Sequence, residues 1–237
     1  MKRTTGRTAV AVVGLMFSTF SARPMLAQWH ATGIGVAEYD TKQTLLLLAG
    51  LSGSPGGKGV VPTIGAQGYY LTFTSNAVRT NVVTIQPHVG LADNYDGGSV
   101  GASIGYSFAN KEVRAVSTAT GNQGSGTVLS GSWDHWGTGG PMGHQVLGSY
   151  NFGSKSLWTR GRITRNMTPG GPSQRRVGVE LAYLEGKDYS AYQPGGVLEF
   201  HDPKGNILGL GAGMKFFGKG AGSAVYFKAE GVVPLFR

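Results

Sequence analysis

The chain has 237 residues, a formal net charge of +9, no cysteine, 14% charged residues and 41 glycines. The absence of cysteine excludes a disulfide scaffold. No Lys/Arg stripe interleaves with aromatics, which argues against a nucleic-acid partner. The charged fraction is well below the ~25% of ordinary soluble domains, so this composition is a poor one for a water-facing surface.

The N-terminus reads MKRTTGRT, then AVAVVGLMFSTFSA, then RPMLAQ. A basic start, an apolar run and a short polar exit predict a cleaved secretory signal peptide over residues 1–27, with Ala27 the preferred cut. The apolar run holds 14 residues, short of the roughly 18 that a spanning helix needs. Lys2, Arg3, Arg7 and Arg23 all lie there without an acid, so the remainder carries only +5 of the +9. Gln28 to Lys42 is then read as a plug, a tail or an extra strand, with a barrel over residues 43–237.

From residue 43 onward the dominant signal is a beat of two. In SVGASIGYSF, residues 99–108, Val100, Ala102, Ile104, Tyr106 and Phe108 alternate with glycine and serine. Successive side chains on extended backbone point to opposite faces, so each such run is a strand with one oily and one small or polar face. Faces of bare glycine and serine suit a crowded closed interior better than a solvated surface. The same beat and the turn signals between runs predict twelve strands: 43–53, 60–74, 81–92, 98–109, 112–121, 125–136, 143–152, 155–166, 175–185, 194–201, 206–217 and 222–236. An even count suits a closed barrel with both termini on one side; ten or fourteen strands would also satisfy it. Pro87 stands in an otherwise regular strand, where its missing N–H costs a ladder bond unless a bulge lies there.

The last hairpin allows a register prediction. If paired residue numbers add to 439, Met214 faces Val225 and Ala212 faces Phe227, while Gly213 faces Tyr226, Gly211 faces Lys228 and Gly209 faces Glu230. Each large inward residue then meets a glycine, and a slip by one would send Lys228 and Glu230 into lipid. Parity likewise turns Lys215, Arg160 and Arg162 inward, with Glu180 about opposite Arg160. These charges are read either as a selective constriction or as internal pairing that fills the lumen. Trp133, Trp136, Tyr150 and Trp158 cluster near strand ends and are read as aromatic girdle residues.

With its signal peptide, about twelve amphipathic strands and a final strand AVYFKAEGVVPLF, the chain resembles bacterial outer-membrane β-barrel proteins as a class. The resemblance implies an all-β, antiparallel up-and-down transmembrane barrel in the outer membrane. It also implies contact with outer-membrane lipids and with the barrel-assembly machinery, which reads a terminal aromatic. Phe236 stands near the end, followed by Arg237, but shares a phase with Lys228 and Glu230. A bulge near Pro234 would reconcile it with the oily phase of Leu235.

Chemistry is sparse. His88 faces inward between Gln86 and Gly90, and Asp134 and His135 point opposite ways on their strand. Glu199 and His201 share a face, read as a solvated strand end because two ligands are too few for zinc. No catalytic set, cofactor or metal site is therefore expected. The function predicted is a narrow passive channel or structural barrel whose lumen charge is set by Arg160, Arg162, Glu180, Lys215, Lys228 and Glu230. The alternatives are an accessory of polysaccharide or lipid export with periplasmic partners, and a lipid-remodelling enzyme. A soluble calyx would turn the oily faces inward.

Overall fold

A computed structural model of the chain describes residues 29–75, 78–114, 124–136, 141–186, 189–218 and 222–236. The period-two runs are extended strands: β1 (Trp29–Asp40), β2 (Leu45–Pro55), β3 (Gly59–Ser75), β4 (Val78–Tyr95), β5 (Gly98–Arg114), β6 (Gly126–His135), β7 (Met142–Asn151), β8 (Ser156–Asn166), β9 (Gln174–Gly186), β10 (Tyr189–His201), β11 (Ile207–Phe217) and β12 (Ser223–Phe236). Each strand pairs with its chain neighbour, and β1 pairs antiparallel with β12, which closes the sheet into a barrel. Closure removes every sheet edge that could pair with another chain.

The count of twelve is met, but with different members. Residues 29–40, left undecided between plug, tail and strand, form β1 and seal the barrel between β2 and β12. The barrel therefore begins at Trp29 and not at residue 43. In compensation, no separate strand begins at 112: β5 runs on to Arg114, and 115–121 lie outside the described residues. The signal peptide, residues 1–27, lies outside them too.

Register follows the predicted pattern in the last hairpin, where Met214 opposes Val225, Gly211 opposes Lys228 and Gly209 opposes Glu230. The bulge near Pro234 is present: Thr32 pairs with Pro234 but Ala31 with Phe236, so Leu235 is the extra residue. Pro87 needs no bulge. Ile85 pairs with Phe108 and His88 with Gly105 in unbroken register, and the ladder simply lapses between them. Pro194 does the same on β10, between Tyr192–Phe216 and Gly195–Gly213. Glu180 is a correction of two residues: it opposes Arg162, while Arg160 opposes Ala182.

Parity sorts the two faces. Outward lie large exposed apolar residues such as Val83, Ile85, Val89 and Leu91 on β4, and Leu208, Leu210, Met214 and Phe216 on β11. From Val83 to Leu91 this band climbs about 21 Å, at ~3.4 Å per residue and ~40° tilt. Aromatics rim it. Tyr95, Trp133 and Phe200 stand at the end that holds the chain termini, and Tyr39, Tyr150, Phe152 and Tyr192 at the distal end. At the terminal end the β10–β11 turn is tied by Asp202, which accepts from the Asn206 backbone at 2.8 Å and its amide at 2.6 Å. The Asn206 side-chain bond holds this carboxyl below the usual carboxylate range.

Inward, glycines let neighbouring strands and large side chains meet. A Cβ on Gly213 would lie 2.2 Å from the Pro194 carbonyl and 2.9 Å from the Tyr226 ring. Gly213→Val is therefore expected to destabilise the barrel by about 1–3 kcal/mol or more, since backbone cannot move aside as a side chain can. Gly161→Ala, where nothing lies within 4 Å of the added Cβ, is expected to be neutral. Urea titration of the folded form, followed by gel mobility, compares the two, and equal midpoints would refute the close-packing account.

Candidate functional site

The inward faces of β8, β9, β10 and β12 bring five of the six predicted lumen residues into contact, and β11 carries the sixth. Alternation alone places Arg160 and Arg162 on one side of β8, Glu180 on β9, Glu199 on β10, and Lys228 and Glu230 on β12. Closure of the sheet then lets β8 and β12 reach each other across the lumen. Arg162 donates through Nε to Glu180 at 3.0 Å and through Nη1 to Glu199 at 2.6 Å, and also bonds Glu230. Arg160 donates to Glu230 at 2.8 Å and to the Gln145 side chain at 2.5 Å. Lys228 bonds Glu180 and lies 3.8 Å from Glu230. Fixed donors thus face nearly every carboxylate oxygen, the condition under which charge can be held away from bulk water.

Two further polar groups extend this network along the barrel. Toward the distal end, Lys215 on β11 bridges the closing seam to Glu38 at 2.7 Å and Asp40 at 3.1 Å on β1, and Gln193 donates to Glu38 at 2.8 Å. Toward the terminal end, His201 bonds the second oxygen of Glu199 at 3.1 Å. Arg176, fully buried, donates to Thr164 at 3.1 Å and to the Gln174 side chain at 2.8 Å. Its guanidinium faces the Trp136 ring, 5.8 Å from the centroid.

All six predicted lumen residues are buried and inward. Two of the four predicted girdle residues are not girdle. Trp158 shares the inward phase of Arg160 and lies 6.0 Å from its guanidinium. Trp136 follows the end of β6 and packs at the terminal mouth against Arg176 and His201. Trp133 and Tyr150 do face outward, at opposite rims. Glu199 and His201 are not a solvated strand end: Glu199 is 0% exposed and shared by Arg162 and His201. His135 points outward onto Tyr95 and His144, while Asp134 points inward and accepts from Gln145 at 2.6 Å.

Sequence reasoning missed Glu38, Asp40, Asp134, Arg176 and Glu199. Parity could have found Arg176, two turns of the beat before Glu180, and Glu199, in phase with Val197. Among the described residues the lumen then holds six carboxylates, Glu38, Asp40, Asp134, Glu180, Glu199 and Glu230, against the five cations Arg160, Arg162, Arg176, Lys215 and Lys228.

The opposite wall differs in kind. On β5 and β6 the inward residues Ser99, Gly101, Ser103, Gly105, Ser130 and Ser132 are partly accessible, whereas Ser107, Ala109 and Val128, on the same phase nearer the distal end, are buried. On β2, Ser52 is exposed. Long charged side chains fill one side of the lumen, and short ones leave accessible space beside the other.

No protein-family model matches the sequence, and comparison with curated proteins finds no relative. The fold is similar to the translocator domain of the autotransporter NalP from Neisseria meningitidis, at TM-score 0.52 and 10% identity over 96% of this chain and 94% of that one. It is also similar to the beta domain of the Bordetella autotransporter BrkA, at TM-score 0.53 and 12% identity over 87% of this chain and 98% of that one. At such identity the likeness is one of fold: the chain resembles outer-membrane β-barrels as a class.

Proposed function

We propose that this chain is an integral outer-membrane barrel, exported behind a cleaved signal peptide, whose lumen is a narrow passive channel with a weak preference for cations. The observation that carries the reading is the lopsided lumen: a charged network packed against β8–β12 and β1, facing a glycine and serine wall on β5 and β6 that keeps accessible surface. The outward apolar band fits the hydrocarbon layer, where only a closed sheet or a helix satisfies every backbone polar group. In this reading the charges steer ions and do not catalyse. Among the described residues the excess of one carboxylate over the cations sets the sign of the preference, as charged side chains do in other pores.

Asp134 is the group to test, because it sits half-buried on β6 in phase with the serine wall. Purified protein in planar bilayers is expected to give small single-channel steps whose reversal potential in a salt gradient favours the cation. Asp134→Lys should move that potential toward the anion. Absence of any steps, or a reversal potential indifferent to this change, would remove the channel reading while leaving the barrel intact.

A further inference from the structure

Among the described residues, charged side chains on the outward face are confined to strand ends, and two of them stand together. Arg165 on β8 and Arg175 on β9 are both exposed at the terminal end. Arg165 pairs with Val177 across the ladder, so Arg175 is its diagonal neighbour on the same face, about 7–8 Å away. Among the described residues neither guanidinium has an acidic or hydrogen-bonding partner. Two unpaired like charges so close, at the rim of an apolar band, repel each other unless an anion lies between them.

A second feature lies on the same strand. The outward side of β8 continues from Arg165 through the exposed Ile163 to Gly161. There, outward glycines on three adjacent strands, Gly131, Gly148 and Gly161, open a recess of about 510 Å³ walled by Trp133, Val146 and Leu181. Its nearest edge is about 13 Å along the strand from the arginines, by the usual rise of an extended chain. That separation suits a molecule with an anionic head and a long apolar tail.

We propose that Arg165 and Arg175 bind the phosphate of an anionic glycerophospholipid, with one of its acyl chains lying in the Gly131–Gly148–Gly161 recess. The inference rests on the membrane reading above, with the terminal end at the leaflet that carries such lipids. Arginine is suited to the task because its planar fork gives a phosphate two parallel hydrogen bonds.

The test is native mass spectrometry of the full mature chain released from mixed micelles containing phosphatidylglycerol and phosphatidylcholine of identical chains. Wild type is expected to retain one phosphatidylglycerol in preference to phosphatidylcholine, on the order of tenfold for two interfacial arginines. The double variant Arg165→Gln with Arg175→Gln should lose the preference, and Arg165→Lys with Arg175→Lys should keep part of it. Gly161→Phe, which fills the recess and leaves both arginines in place, should weaken retention of phosphatidylglycerol. Glycerol phosphate, which has no acyl chain, should not compete. Equal retention of the two lipids, or a preference unchanged in the glutamine variant, would overturn the site. Folding into vesicles is scored separately by gel mobility: a chain that inserts but shows no preference loses only the lipid site, whereas one that never inserts loses the membrane reading as well.

Discussion

Replacing Arg162 by methionine is expected to lower the stability of the folded barrel by about 3–5 kcal/mol, the usual cost of deleting one partner from a buried ion network. Arg162 is the hub: it bonds Glu180, Glu199 and Glu230, which arrive from three different strands. Without it, Glu199 keeps His201 as a hydrogen-bond partner and its cross-strand neighbour Arg176 as a nearby charge, and Glu180 and Glu230 must share Arg160 and Lys228. The loss comes from stranded carboxylates more than from lost packing, because methionine roughly fills the space of the arginine stem. Adding Glu199→Gln to the variant should therefore restore part of the stability, since one of the stranded charges is gone. Urea titration of the folded gel band, for both variants, measures this. A single variant as stable as wild type would show that water in the lumen already screens these charges.

How far this network could be read beforehand depends on the kind of contact. Parity is a local property, so the inward placement of Arg160, Arg162, Lys215, Lys228 and Glu230 followed from the alternation, and the register of the last hairpin followed from its turn. Contacts across the lumen are not local. That Arg160 meets Glu230, seventy positions away, requires the barrel to close and the stagger of each strand to accumulate correctly, and no short window of sequence carries that information. That the first strand was left undecided has a different cause. Ile34 and Val36 of β1 and Leu46 and Leu48 of β2 point inward, so the oily side of β1 turns to the lumen and both faces of β2 are oily. The beat that marks other strands is blurred, and Glu38 and Asp40 went unnoticed with it. Trp158 was legible by phase, in step with Arg160, but its closeness to a strand end drew it to the girdle. Trp136 lies past the last residue of β6, where alternation no longer assigns a face.

Arginine at Leu210 is the substitution expected to show which solvent the oily face meets. Leu210 lies one step of the beat from the midpoint of β11, paired with Leu198 on one side and Ala229 on the other, and is 45% exposed. Against water such a position would accept arginine almost without cost. Against hydrocarbon near the midplane the charge costs roughly 2–4 kcal/mol, falling to about 0–1 near the interface. Leu208, one step of the beat toward the terminal end and next to Phe200 of the aromatic rim, is the built-in control. Leu210→Arg should lower the urea midpoint for refolding into phosphatidylcholine vesicles clearly more than Leu208→Arg does. A depth-dependent penalty of this kind arises only if a polarity gradient lies outside the barrel, because both residues share the same strand, the same face and closely similar exposure. If both variants refold as well as wild type, the outward band faces water, and the channel and the lipid site fall together with it.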